Sequence, residues 1–148
     1  MLLNELFDNA TDYSKVSPYV YAFTVDKINY TVDFREEILP KEAREKLNRT
    51  ANGIEIAFSI QTNDEHGKDF KFGITNTGNS ITVFATVVTI IEEFIQTEKP
   101  EFFFFAAEEP SRRKLYDRLS KVLIRKTNYN LFHTLVNNYG KNYIFQSK

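Results

Sequence analysis

Four phenylalanines in succession, Phe102 to Phe105, run directly into Ala106-Ala107. A strand turns alternate side chains to opposite faces, so such a run puts bulky rings on both sides of a sheet and requires both sides to be covered. The segment is therefore expected to be an interior strand, with layers built on each face of it. The rest of the chain has the material for those layers. It carries fourteen Phe and eight Tyr but no Trp, and its 42% apolar and 26% charged residues are the balance of a globular protein. A length of 148 residues without a linker-like tract predicts one domain over 1–148.

Periodicity arranges the other elements around that strand. Tyr21, Phe23 and Val25 alternate with polar or small residues, and Tyr30, Val32 and Phe34 repeat the pattern, which predicts a hairpin turning near Lys27. Residues 40–48 read as a short surface helix with Pro40 in its first turn, closed by Asn52-Gly53. A second antiparallel hairpin is expected from Ile54, Ile56, Phe58 and Ile60 followed by Phe70, Phe72 and Ile74. From Ser80 to Gln96 the period becomes helical, with a narrow polar stripe of Thr82, Thr86, Thr89, Glu93 and Gln96. A further long helix is expected from Pro110 to Lys126, with Glu108-Glu109 at its positive end and Arg125-Lys126 at its negative end. A helical turn over 2–8, a short helix over 130–138 and a strand over 142–146 complete the reading. The expected fold class is α+β: a mostly antiparallel sheet with two N-terminal hairpins and a buried central strand between two long helices.

Charge and composition narrow the function classes. With no Cys there are no disulfides or thiolate nucleophiles. Residues 1–10 lack the basic start and apolar run of a signal peptide, and no stretch reaches the length of a membrane span, so a cytoplasmic protein without membrane attachment is expected. His66 and His133 lie far apart, which gives no metal site. No nucleophile elbow, phosphate loop or dinucleotide fingerprint is present. Residues 1–109 hold 10 Lys and Arg against 19 Asp and Glu, whereas residues 110–148 hold 9 against the single Asp117. Either the two parts neutralise each other on packing, or the C-terminal part meets an anionic ligand.

Three local features carry candidate chemistry. Asn76, Thr77, Gly78, Asn79 and Ser80 join a strand to a helix N-terminus, where backbone amides hold an anion or Ser80 or Asn79 merely caps the helix. Arg112 falls on the apolar side of the second long helix with Leu115, Tyr116 and Leu119, as an anchor for an anionic ligand or as an internal ion pair. Tyr116 is either a proton donor to that site or a core tyrosine. Lys114, Arg118, Lys121 and Arg125 recur at spacings of four, three and four on the opposite face. That basic stripe suits a nucleic-acid backbone or an acidic protein, or is a solvated helix face.

The run Ser111-Arg112-Arg113-Lys114-Leu115-Tyr116, following a buried strand, resembles the Leu-Tyr helix of the GNAT acetyltransferase superfamily, and the element order is similar from about residue 19 to residue 126. Val83-Phe84-Ala85-Thr86-Val87, Phe102–Ala107 and Ser111–Tyr116 also resemble small uncharacterised proteins of tailed bacteriophages. The resemblance implies a GNAT-like fold, with acetyl-CoA pyrophosphate on Gly78, Asn79 and Ser80, and with Tyr116 protonating a leaving thiolate. The superfamily's glycine-rich loop is reduced here to one Gly, and its Gly-Phe is replaced by Ser120-Lys121. The leading expectation is thus a phage-type accessory protein of the bacterial host cytoplasm that binds a host or phage macromolecule without catalysis and without a cofactor. An acyl-CoA-dependent N-acetyltransferase using Tyr116 and Arg112, and a nucleic-acid binder, are the alternatives. Its partner is expected to be a protein, with the chain itself a monomer or a homodimer through a free edge strand.

Overall fold

Alternating rings fold the N-terminal part into a meander. A computed structural model, which describes residues 9–61, 68–69, 78–107, 110–137 and 140–148, gives β1 (Ser14–Ser17), β2 (Val20–Val25) and β3 (Ile28–Ile38) as consecutive antiparallel strands. The expected turn near Lys27 is present. Asp26 and Lys27 both take positive φ, 53° and 66°, as a two-residue hairpin turn needs for its twist to match the strands it joins. Alternation then turns Tyr21, Phe23, Val32 and Phe34 to one buried face, where Phe34 stacks on Phe94 with ring centroids 3.8 Å apart.

β4 (Asn52–Gln61) pairs antiparallel with β3 from Asn29↔Gln61 to Ile38↔Asn52. The connection carries α1 (Lys41–Leu47), entered through Pro40. It ends at Asn48 in the left-handed conformation, whose amide donates to the Arg44 and Glu45 carbonyls. Asn48 therefore closes this helix, and the expected stop at Asn52-Gly53 lies at the start of β4. Gly53 has a different task. A Cβ there would stand 2.9 Å from Leu39 Cδ2 and 3.2 Å from the Phe102 carbonyl oxygen, so glycine lets β4 approach the phenylalanine strand closely.

The remaining elements are β5 (Lys68–Asp69), α2 (Gly78–Glu98), β6 (Phe102–Ala107), α3 (Pro110–Lys126), β7 (Tyr129–Asn137) and β8 (Gly140–Ser147). The sheet runs β1-β2-β3-β4-β6-β8-β7, with β5 attached to β4. β6 thus lies in mid-sheet as its residues required, parallel to β4 and antiparallel to β8. Phe103 and Phe105 point into the main cluster with α2 and α3, while Phe102 and Phe104 point into a second cluster with Leu39, Ala43 of α1, Ala51 and Ile144. All four rings are at most 5% exposed. The β4–β6 ladder spans only Ile54↔Phe103 and Glu55↔Phe104. Beyond it Phe58 extends from β4 toward the Phe105 and Tyr116 rings, at 6.3 and 6.0 Å.

The expected GNAT-like α+β architecture does not hold. The sheet is mixed, with seven strands on one path, and strand outweighs helix among the described residues. α2 and α3 do not flank the buried strand. Both pack on the same side of it, against Phe103 and Phe105, and α1 with the β3–β4 connection covers the other side. Tyr129–Asn137 form β7 in place of the short helix expected over 130–138. Tyr129 and Phe132 are three residues apart, a helical spacing, yet across a strand that step sends them to opposite faces. Tyr129 joins the main cluster and Phe132 meets Phe102 edge-on at 5.7 Å. A bulge between Leu131 and His133 adjusts the register. β4 finds its long partner in β3, and the expected second arm of its hairpin, residues 70–75, lies outside the described residues, as does the turn over 2–8.

The threonine stripe of α2 has a cover. Residues 9–13 lie along it, with the Thr11 amide donating to Thr86 Oγ1 at 3.0 Å and Tyr13 donating to Glu93 at 3.3 Å. Thr86 is fully buried and returns its own proton to the Thr82 carbonyl. The apolar faces of α2 are therefore covered by the sheet on one side and part of its threonine stripe by a short segment on the other, while Glu93 and Gln96 to Glu98 stay exposed.

Candidate functional site

α3 carries most of the residues singled out by sequence. Its inward face is Tyr116, Leu119, Ser120 and Leu123, buried at helical spacing. Tyr116 is 3% exposed and its ring lies 5.5 Å from Phe105 and 6.3 Å from Tyr143. The structure thus places it as a core ring. Arg112 belongs to α3, but its side chain lies outside the described residues. Asn76 and Thr77 also fall outside them. Gly78, Asn79 and Ser80 form the first residues of α2, with side chains that are not described.

The polar chemistry on the inner side of α3 belongs to other residues. Asp117, the single carboxylate among residues 110–148, accepts hydrogen bonds from Tyr143 at 2.7 Å and from Lys141 Nζ at 3.0 Å. The Tyr143 hydroxyl also contacts the Arg113 carbonyl at 3.2 Å. The Tyr143 hydrogen bond, joined by Lys141, holds the Asp117 carboxyl below its ordinary range against a partly offsetting cost of burial. Burial, with the bond to Asp117 second, pushes the Tyr143 phenol up, so it stays protonated at neutral pH. The arrangement ties α3 to β8. Arg113 Nε and Ser120 Oγ are buried without a hydrogen-bond partner among the described residues. The sequence held one signal for this cluster: a lone aspartate in a basic segment needs cationic or donor partners.

The outward face of α3 is cationic. Lys114, Arg118, Lys121 and Arg125 are all exposed, and the helical rise spreads them over about 17 Å. None of the four has an ion-pair partner within 4 Å among the described residues. Across the two halves of the charge asymmetry, Lys126 reaches Glu92 at 3.5 Å. Mutual neutralisation therefore involves the flank of α3, and its outer face keeps its charge. Among the described residues no group of three His, Asp or Glu converges to hold a metal ion, and no helix is long and apolar enough to cross a membrane.

Fold and surface together define a mixed-sheet protein with a closed aromatic interior and a cationic helix on its outside. The chain belongs to the family of unknown function DUF6934, whose model matches residues 18–148, from the turn before β2 to the last residue. No curated protein and no solved structure matches it.

Proposed function

We propose that this protein is a non-catalytic binding module that docks the outer face of α3 on an acidic surface of a partner protein. The observation that supports this reading is the row Lys114, Arg118, Lys121 and Arg125, exposed and without an ion pair within 4 Å among the described residues, with Asp117 a turn from Lys121 the carboxylate that acts on it at longer range. Four like charges held on one rigid face raise encounter rates with a complementary surface and select its register. The chain as a whole is slightly negative, at −1, and residues 1–109 are strongly acidic, which argues against strong nonspecific binding of nucleic acid. The resemblance of three segments to tailed-bacteriophage proteins supports a setting in the cytoplasm of an infected bacterium. Catalysis by Tyr116 has less support, since its ring is packed among Phe58, Phe105 and Tyr143.

The test is affinity capture from host lysate with the wild-type chain beside a Lys114→Glu, Arg118→Glu, Lys121→Glu, Arg125→Glu variant, each at low and moderate salt. The reading expects a protein that is held by the wild type, released by salt and missing with the variant. Capture that is equal for both chains would overturn it. Tight salt-sensitive binding of a DNA duplex by the wild type would move the assignment to nucleic acid.

A further inference from the structure

The C-terminal ends of α2 and α3 meet beside the start of β7 and the end of β8, and a recess of about 620 Å³ lies between them. Its walls are fixed by bonds from every side. α2 stops at Lys99, which adopts the left-handed conformation with φ 48° and donates its amide to the Ile95 carbonyl at 2.9 Å. α3 stops at Thr127, whose amide and hydroxyl both donate to the Leu123 carbonyl, at 2.9 and 2.6 Å. The Lys148 amide closes onto the Asn128 carbonyl at 2.9 Å. Tyr129 is anchored through its hydroxyl to the Pro100 carbonyl, and burial raises that phenol to about 12. A recess of this size, formed before any ligand arrives, falls in the range of small-molecule sites.

The lining includes Lys99, Lys126 and Asn128 beside the nearly buried Ile95 and Tyr129. A lysine at each helix end answers the helix dipole. Dipole compensation does not by itself call for a cavity lined by both lysines. We infer that this recess binds a small oxyanion-bearing molecule, its phosphate or carboxylate held between Lys99 and Lys126 and its apolar part resting on Ile95 and Tyr129. Glu92 contacts Lys126 at 3.5 Å and is therefore a built-in competitor for the incoming oxyanion. This inference does not depend on the α3 docking face, whose residues are not part of the lining.

The test is an amide-resolved NMR titration of the full chain with phenyl phosphate, inorganic phosphate and benzoate. Saturable shifts are expected at residues 95–99 and 126–129, with phenyl phosphate binding more tightly than inorganic phosphate because the ring adds apolar contact. Benzoate against phenyl phosphate reads which oxyanion is preferred. Lys126→Gln is expected to weaken binding by about tenfold, as for loss of a charge-assisted contact. Glu92→Gln, which removes the competing carboxylate, is expected to tighten it, and Arg125→Gln on the outer face is expected to leave it unchanged. Shifts that fail to saturate, that centre on the outer face of α3, or that do not respond to Glu92→Gln and Lys126→Gln would overturn the assignment.

Discussion

Phe104→Ala and Phe105→Ala remove adjacent rings from one strand, and the two faces of the sheet set different costs. Phe105 is fully buried, with ring centroids of Tyr143, Tyr116 and Phe145 at 5.3, 5.5 and 5.6 Å and Phe58 at 6.3 Å. A truncation there loses the transfer energy of the ring, leaves a cavity and breaks several aromatic pairs, for a total near the top of the usual range, about 4–5 kcal/mol. Phe104 is 5% exposed and packs in the smaller cluster of Leu39, Ala43, Ala51, Phe102 and Ile144. Its truncation should cost about 3 kcal/mol, because the cluster is smaller and the aliphatic side chains in it, Leu39 and Ile144, can partly close the gap. Equilibrium denaturation in guanidinium measures both, and Phe105→Leu, which keeps most of the volume, holds the comparison if the alanine variant is too unstable to fold. A loss below about 0.5 kcal/mol for Phe104→Ala, the value of a surface position, would refute the claim that α1 and the β3–β4 connection cover the second face.

Other outcomes follow from single contacts. Lys27→Gly should stabilise the protein by about 0.5–1 kcal/mol in thermal or chemical denaturation, since Lys27 holds φ at 66° without the freedom of glycine. Tyr143→Phe removes the largest cause of the low Asp117 pKa and should destabilise the protein by about 1–2 kcal/mol at pH 6. The sign with pH is fixed: a depressed folded-state carboxyl contributes stability above its unfolded pKa of about 3.9 and loses it as pH falls through the folded value. The gap between Tyr143→Phe and wild type should therefore narrow below about pH 4, and urea titrations at pH 6 and pH 3 read the change.

The frame was legible where one residue pattern admits one solution. Four successive phenylalanines need cover on both sides, and β6 has it. The helices at Gly78–Glu98 and Pro110–Lys126 followed from a 3.6-residue period, and the β2–β3 hairpin followed from alternation ending at Asp26-Lys27. Alternation reports which face a side chain takes and not which strand lies alongside, so the partnership of β4 with β3 was out of reach. The step from Tyr129 to Phe132 fits one face of a helix and two faces of a strand equally well, and the open edge of β8 decides it in favour of β7. The placement of both long helices on one side of the sheet is equally invisible in periodicity, and it separates this fold from the GNAT-like expectation.

The candidate site divides along the same line. A helix period alone puts Lys114, Arg118, Lys121 and Arg125 on one face, and the fold leaves that face exposed. Asp117, Lys141 and Tyr143 come together only because β8 pairs with β6 and passes under α3. Lys99 and Lys126 meet at one recess because the two helices end at the same corner of the molecule. Such meetings depend on tertiary approach between segments far apart in sequence.

Amine-specific labelling of the complex with the captured partner gives the most direct reading of the docking face. Lys114 and Lys121 on α3 should lose reactivity when the partner is bound, while Lys27 in the β2–β3 turn keeps its own. Unchanged labelling at Lys114 and Lys121, together with protection elsewhere on the chain, would contradict the assignment of α3 as the surface through which this protein acts.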